Sequence, residues 1–116
     1  MKVSLQDIQK AQSIIGSQVK KTEVDKSISA SKLVGSDVYY KFENTQLTGS
    51  FKIRGALNKI SQLTSEEKAK GVVASSAGNH AQGVALSANK AGVKATIVMP
   101  VHAPLVKIQA TKDYGA

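Results

Sequence analysis

Apolar residues recur along this chain at two different periods, and the switches between them mark out its elements. Leu5, Ile8, Ala11 and Ile15 fall on one face of a helix that runs up to Gly16. Ser4 can cap it with Asp7 three residues on, and Val3 and Ile8 occupy the two staple positions. After a polar connection, Ile28 and Leu33 suggest a short helix that ends near Gly35. Asp37 to Phe42 (DVYYKF) is rich in β-branched and aromatic residues and reads as a strand. Thr48-Gly49-Ser50 breaks it, and Ile53, Ala56, Leu57 and Ile60 return to helical spacing. Thr64 and Glu67 form a second capping box, for a short helix that stops at Gly71. Val72 to Ser75 is a small strand, Ala77-Gly78 turns the chain, and Ala81, Val84, Ala85 and Ala88 mark a helix ending near Gly92. Ala95 to Met99 (ATIVM) is nearly all apolar, as in a strand buried on both faces. Pro104 fits the first position of a final helix and Gly115 its C-terminal cap.

Strands alternating with helices predict an α/β fold, a parallel sheet flanked by helices. Right-handed crossovers would put the strand-to-helix loops on one side, and ligands bind outside the carboxyl ends of such strands. The loops are Asn44 to Ser50, Ser75 to Asn79 and Pro100 to Ala103. Chemistry is to be sought there.

Composition narrows the classes. The chain has 116 residues, 41% hydrophobic and 21% charged, which suits one globular domain or the front end of something larger. It has no Cys, so disulfides, thiolate metal sites and a cysteine nucleophile are all excluded. No stretch approaches the roughly 20 apolar residues of a membrane span, and no signal-peptide core is visible. A cytoplasmic protein with no membrane partner is expected. The net charge of +8 raises the question of nucleic acid. However, the basic residues are spread from Lys2 to Lys112 without interleaved aromatics, so a solvated basic surface, or a fragment whose acidic remainder is missing, is expected instead. With only His80 and His102 available, no metal is expected.

Two loops carry candidate chemistry. Ser75-Ser76-Ala77-Gly78-Asn79-His80 runs from a strand end into a helix N-terminus, where free N–H groups and the helix dipole favour an anion. Ser76 and Asn79 add side-chain donors and Gly78 lets a ligand approach the backbone; equally, Asn79 or Ser76 could simply cap the helix. Thr48-Gly49-Ser50-Phe51-Lys52 places a lysine in the first turn of a helix, between Phe51 and Ile53. The helix dipole and apolar neighbours both disfavour its charge, and a lysine that can lose its proton attacks aldehydes. The plainer alternative is an exposed lysine whose stem lies over Phe51. Neither glycine pattern fits a nucleotide: position 80 breaks the dinucleotide fingerprint, and Gly49 to Lys52 lacks the P-loop ending.

Taken together the segments are more specific. Lys41-Phe42-Glu43-Asn44, Thr48 to Ala56 (TGSFKIRGA) and Ser76 to Gly83 (SAGNHAQG) resemble the threonine dehydratase branch of the fold-type II pyridoxal-phosphate enzymes. Val98-Met99-Pro100 and Asp113-Tyr114-Gly115-Ala116 are similar to the same family, so the likeness covers essentially the whole chain. The resemblance implies that Lys52 forms the Schiff base with pyridoxal 5′-phosphate and moves the substrate's α-proton. It implies that Phe51 lies beside the cofactor ring, that Asn79 bonds its phenolic oxygen, and that Ser76, Ala77, Gly78, Asn79 and His80 hold the substrate carboxylate. L-Threonine would lose its α-proton and then its β-hydroxyl, and the released enamine would hydrolyse to 2-oxobutanoate and ammonia; L-serine would give pyruvate.

The resemblance further implies that residues 1–70 belong to a larger domain, that 71–116 begin a smaller mobile one, and that Lys52 and Asn79 face each other across the cleft between them. The family's downstream phosphate loop is not within this sequence, so a fragment of a longer homo-oligomeric enzyme is expected, inactive by itself. A serine racemase or serine-preferring dehydratase is the alternative within the class, and a non-catalytic interaction fragment the alternative outside it. Serine racemases carry a serine immediately before the Gly-Asn-His triplet, where this chain has Ala77.

Overall fold

The computed structural model describes residues 2–116. It opens with helix α1 (Leu5–Ile15), whose capping box is formed as the sequence predicts: Asp7 N–H donates to Ser4 Oγ at 3.2 Å and Ser4 N–H to the Asp7 carboxylate at 2.8 Å. The apolar stripe on this helix is only partly used. Ile15 is buried, but Leu5 and Ile8 remain exposed, as does Val3, so the expected staple buries little. Strand β1 (Val24–Lys26) and helix α2 (Ile28–Val34) follow. Gly35 ends α2 at φ 73°, a left-handed conformation that glycine adopts without Cβ strain.

The strand expected at Asp37 to Phe42 shortens to β2 (Tyr39–Lys41), and it is not part of the parallel sheet. It pairs antiparallel with β1, Val24 opposite Lys41 and Lys26 opposite Tyr39. All residues of both strands are exposed, so this ribbon has no buried face to dictate its partner by hydrophobic pattern. The loop Asn44 to Ser50 therefore does not follow a strand of the parallel sheet.

Two 3₁₀ turns (Glu43–Thr45 and Leu47–Gly49) lead into α3 (Lys52–Ser61), and α4 (Ser65–Lys70) follows with the predicted Thr64–Glu67 capping box. Strand β3 (Val72–Ser75), helix α5 (Asn79–Lys90) and strand β4 (Ala95–Val98) then form one parallel unit, with Val72 in register with Ala95 and Ser75 with Val98. Helix α6 (Leu105–Asp113) closes the chain. Pro104 sits at its N-cap, one position earlier than expected, where its fixed φ and missing N–H cost equally little.

The core lies where α3 and α5 meet each other and one face of the sheet. Ala56, Ile60, Val84, Ala88, Val93 and Ala95 form the buried cluster, with Leu63, Val72 and Ile97 packed on it. Ile53, Ala56, Leu57 and Ile60 are all buried, as are Ala81, Val84, Ala85 and Ala88, so both helices turn inward the faces their spacing predicts. β4 differs from expectation. Ala95 and Ile97 face the core, but Thr96 and Val98 face outward, as Val73 does on β3. Strand β4 is covered on one face only. Among the described residues no helix is long and apolar enough to cross a membrane.

Candidate active site

The approach to Lys52 has an unusual backbone. Thr48 (φ 63°) and Gly49 (φ 68°) are consecutive left-handed residues, and for a β-branched side chain that conformation costs on the order of 1–3 kcal/mol. Gln46, buried beside them, holds the reversal: its Oε1 accepts from Lys20 N–H (3.0 Å) and Leu47 N–H (2.9 Å), and its Nε2 donates to Lys20 C=O (2.8 Å). Helix α3 then begins at Lys52, with no side-chain cap from Phe51 and only a long bond, 3.4 Å, from Lys52 N–H to Ser50 Oγ.

Lys52 is exposed, and its Nζ lies 4.8 Å from the centroid of the Phe51 ring. Of the two apolar neighbours, Ile53 is fully buried toward the core and Phe51 is 58% exposed. The lysine thus has one aromatic wall, which is the plainer arrangement of the two the sequence allows.

Behind the lysine stands an ion pair whose function the residue pattern leaves silent. Arg54 Nε donates to Glu43 Oε2 and Arg54 Nη2 to Glu43 Oε1, both at 2.8 Å, a bidentate fork. Thr22 Oγ1 donates to the same carboxylate at 2.6 Å, and Arg54 Nη2 also reaches Lys20 C=O at 3.1 Å. The Arg54 guanidinium, helped by the Thr22 hydroxyl, pulls the Glu43 carboxyl from 4.5 down to about 2. A depressed carboxylate stabilises the fold above its unfolded pKa and loses that contribution as pH falls through the folded one. Unfolding free energy should therefore drop by about 2–3 kcal/mol from this group as pH falls from roughly 4.5 to 2. Asp7 and Glu67, lowered by the cap N–H groups of Ser4 and Thr64, act in the same direction. Urea unfolding of wild type beside Glu43→Gln isolates the Glu43 share; equal acid sensitivity in the two would refute it.

The second candidate loop ends in an open helix terminus. Gly78 is the N-cap of α5 and offers no side chain; Ser76 Oγ accepts from Gly78 N–H at 3.3 Å and keeps its own O–H to donate. Asn79 is the first helical residue and, with His80, exposed, so neither Ser76 nor Asn79 caps the helix. A Cβ built on Gly78 would meet nothing within 4 Å, so no packing within this chain requires a glycine there. Ala77 stands immediately before it. Among the described residues no cluster of His, Asp and Glu could hold a metal.

Gly83 brings the two loops together. A Cβ on it would lie 3.2 Å from Ile53 N and Lys52 C and 3.3 Å from Lys52 O, so α5 touches the first turn of α3 backbone to backbone. Asn79 is four residues before Gly83, about one turn or 6 Å along the helix. The open end of α5 thus lies within about a helical turn of the Lys52 backbone. This close approach is the signal that a glycine on an otherwise alanine-rich buried helix face offers in retrospect.

An exposed amine at a helix start, an aromatic face beside it and an uncapped helix N-terminus at hand are groups that suit an anionic carbonyl compound. The chain belongs to the pyridoxal-phosphate dependent enzyme family, whose model matches residues 15–116. It is 54% identical over 114 residues to the L-threonine ammonia-lyase of Thermotoga maritima and 55% identical over 115 residues to the catabolic L-threonine dehydratase TdcB of Staphylococcus aureus. These matches cover 98% of this chain but 28% and 33% of those proteins, so the chain spans about a third of their length. The crystal structure of serine racemase from Dictyostelium discoideum superposes with a TM-score of 0.91 at 44% identity, over 98% of this chain and 38% of that one. The residues present fit the family's cofactor: an amine for its aldehyde, a flat apolar face for its ring, and free donors for its anionic oxygens.

Proposed function

We propose that the intact protein is a pyridoxal-phosphate-dependent threonine dehydratase, converting L-threonine, and L-serine as a second substrate, to the 2-oxo acid and ammonia. The observation that carries this reading is the Gly83 contact, which sets the start of α3, with Lys52, against the open end of α5. In this reading Lys52 Nζ holds the cofactor and shuttles the substrate's α-proton, and Phe51 flanks the ring. Asn79 donates to the cofactor's phenolic oxygen, and the N–H groups and side chains of residues 76–80 bind the substrate carboxylate. When bound, the cofactor supplies an electron sink for the charge left at the α-carbon. Residues 1–70 then belong to a larger unit and 71–116 to a smaller one, with Lys52 and Asn79 on opposite sides of the cleft. A cytoplasmic homo-oligomer is the setting that the family resemblance implies. The test is direct: purified intact protein with added cofactor should release equimolar 2-oxobutanoate and ammonia from L-threonine. Bound cofactor with no deamination of L-threonine or L-serine would overturn the assignment.

The likeness to a serine racemase favours a second reading, and Ala77 weighs against it. Racemisation needs a proton donor on the face opposite the lysine, and a methyl group can neither give nor take a proton. Elimination needs no such group, because the β-hydroxyl departs without reprotonation of the α-carbon by a second side chain. The wild type should leave unreacted L-serine optically pure, and Ala77→Ser should produce D-serine. Chiral chromatography after long incubation decides; substantial D-serine from the wild type would refute the dehydratase reading of Ala77.

A further inference from the structure

The segment from Glu43 to Arg54 contains the strained reversal at Thr48 and Gly49 and ends at the first turn of α3. Its two ends are joined by the paired 2.8 Å bonds of the Glu43–Arg54 fork. A spine of residues 20–22 backs the join: Thr22 Oγ1 and Lys20 C=O bond to the pair directly, and Lys41 Nζ donates to Thr22 C=O at 2.7 Å. The side chains are only 33% (Arg54) and 16% (Glu43) exposed, so water competes weakly for them. Toward the core the helix start is held by buried Ile53 and by the backbone contact at Gly83, but its cap is weak: Phe51 offers no side-chain cap and the Ser50 contact is long.

The chemistry of the basic residue is selective here. Arg54 is the only arginine among the 16 Lys and Arg residues. A lysine would supply one point charge, whereas only guanidinium meets a carboxylate with two parallel N–H groups and still reaches a third acceptor. Arg54 also follows Lys52 by two positions, and residues two apart on a helix do not share a face. The pair therefore grips α3 from behind Lys52 and leaves the lysine's own side free.

We propose that the Glu43–Arg54 fork is a positioning clasp that sets the first turn of α3, and with it the reach of Lys52 Nζ. Neither residue touches the reacting atoms; both act through the lysine. The proposal rests on reading Lys52 as the Schiff-base residue. A misplacement of about 1 Å can cost about 10²-fold in such a geometry.

The test uses Glu43→Gln, Arg54→Lys and Arg54→Met in the intact protein. The first measurement is the rate at which added pyridoxal phosphate becomes fixed to Lys52 by borohydride, located by peptide mapping. It should fall about 10- to 100-fold in all three variants. Arg54→Lys should be no better than Arg54→Met, because the fork and not the charge is lost. For L-threonine kcat should fall while KM stays within about threefold. Amide hydrogen exchange over residues 47–53 should quicken in the cofactor-free variants, with the α5–β4 region unchanged. Wild-type trapping and exchange in folded Arg54→Lys or Glu43→Gln would overturn the clasp. Should those variants unfold, Glu43→Asp keeps the charge and shortens the arm: an intermediate trapping rate supports the proposal, and a wild-type rate overturns it. A wild-type label that maps to another lysine refutes the Lys52 reading instead, and the exchange data then judge the clasp alone.

Discussion

Replacing Lys52 by alanine in the intact protein should abolish the visible absorbance of bound cofactor and lower threonine deamination by about 10⁴-fold or more. On the proposed reading, two functions are removed with one amine: the covalent hold and the proton shuttle. The neighbours cannot substitute. Phe51 and Ile53 carry no base, and Arg54 is a permanently charged guanidinium paired with Glu43 through Nε and Nη2. His80, exposed at the start of α5, offers a base but no amine to attack an aldehyde. Folding should survive, because Lys52 is exposed and its Nζ lies over the Phe51 ring rather than in the core. A small exogenous amine should restore part of the lost rate. Activity retained by Lys52→Ala without any added amine would sink the assignment.

Gly83→Val should be the most damaging change away from the chemistry. Glycine inside a helix is unfavourable by about 1 kcal/mol against alanine, so on propensity alone a side chain at position 83 would stabilise α5. The contact reverses the sign. Its Cβ would press on the backbone of Lys52 and Ile53 at 3.2 Å, and backbone of a helix start cannot rotate aside. The two γ-carbons of valine add overlap, and forced overpacking costs about 1–3 kcal/mol or more. Since the displaced atoms are those of Lys52, cofactor fixation should fall along with the melting temperature. Gly83→Ala separates the two effects, gaining propensity while moving α3 by only a few tenths of an ångström. A Gly83→Val protein as stable as wild type, with normal cofactor fixation, would show that α3 and α5 do not meet this closely.

The parts of this picture that could be read from residues are those with a strong period. Helices α3 and α5 announce themselves because Ile53, Ala56, Leu57, Ile60 and Ala81, Val84, Ala85, Ala88 each fill one face, and all eight are buried. Lys52 at a helix start was legible for the same reason: the spacing resumes at Ile53 just after Gly49 and Ser50. Strand β1 was not, since Val-Asp-Lys has no alternation and all three residues stay exposed. The all-apolar run at β4 conceals which face is covered; Val98 is 53% exposed although its composition matches Ile97. The Glu43–Arg54 fork and the Gly83 contact were illegible for a different reason. Both join segments with no periodic relation, so only the folded arrangement reveals them.

The uncapped end of α5 can be viewed as a trade between robustness and work. Glycine is only a few tenths of a kcal/mol poorer than serine or aspartate at an N-cap, so Gly78 sacrifices little local stability. What it keeps is a set of first-turn N–H groups that no side chain among the described residues caps. An aspartate at position 78 would tighten the first turn of α5 and would also place a permanent carboxylate where the proposed reading seats the substrate's. Selection for heat resistance alone would therefore tend to close this site, and its openness marks a position where stability has been held below its attainable maximum.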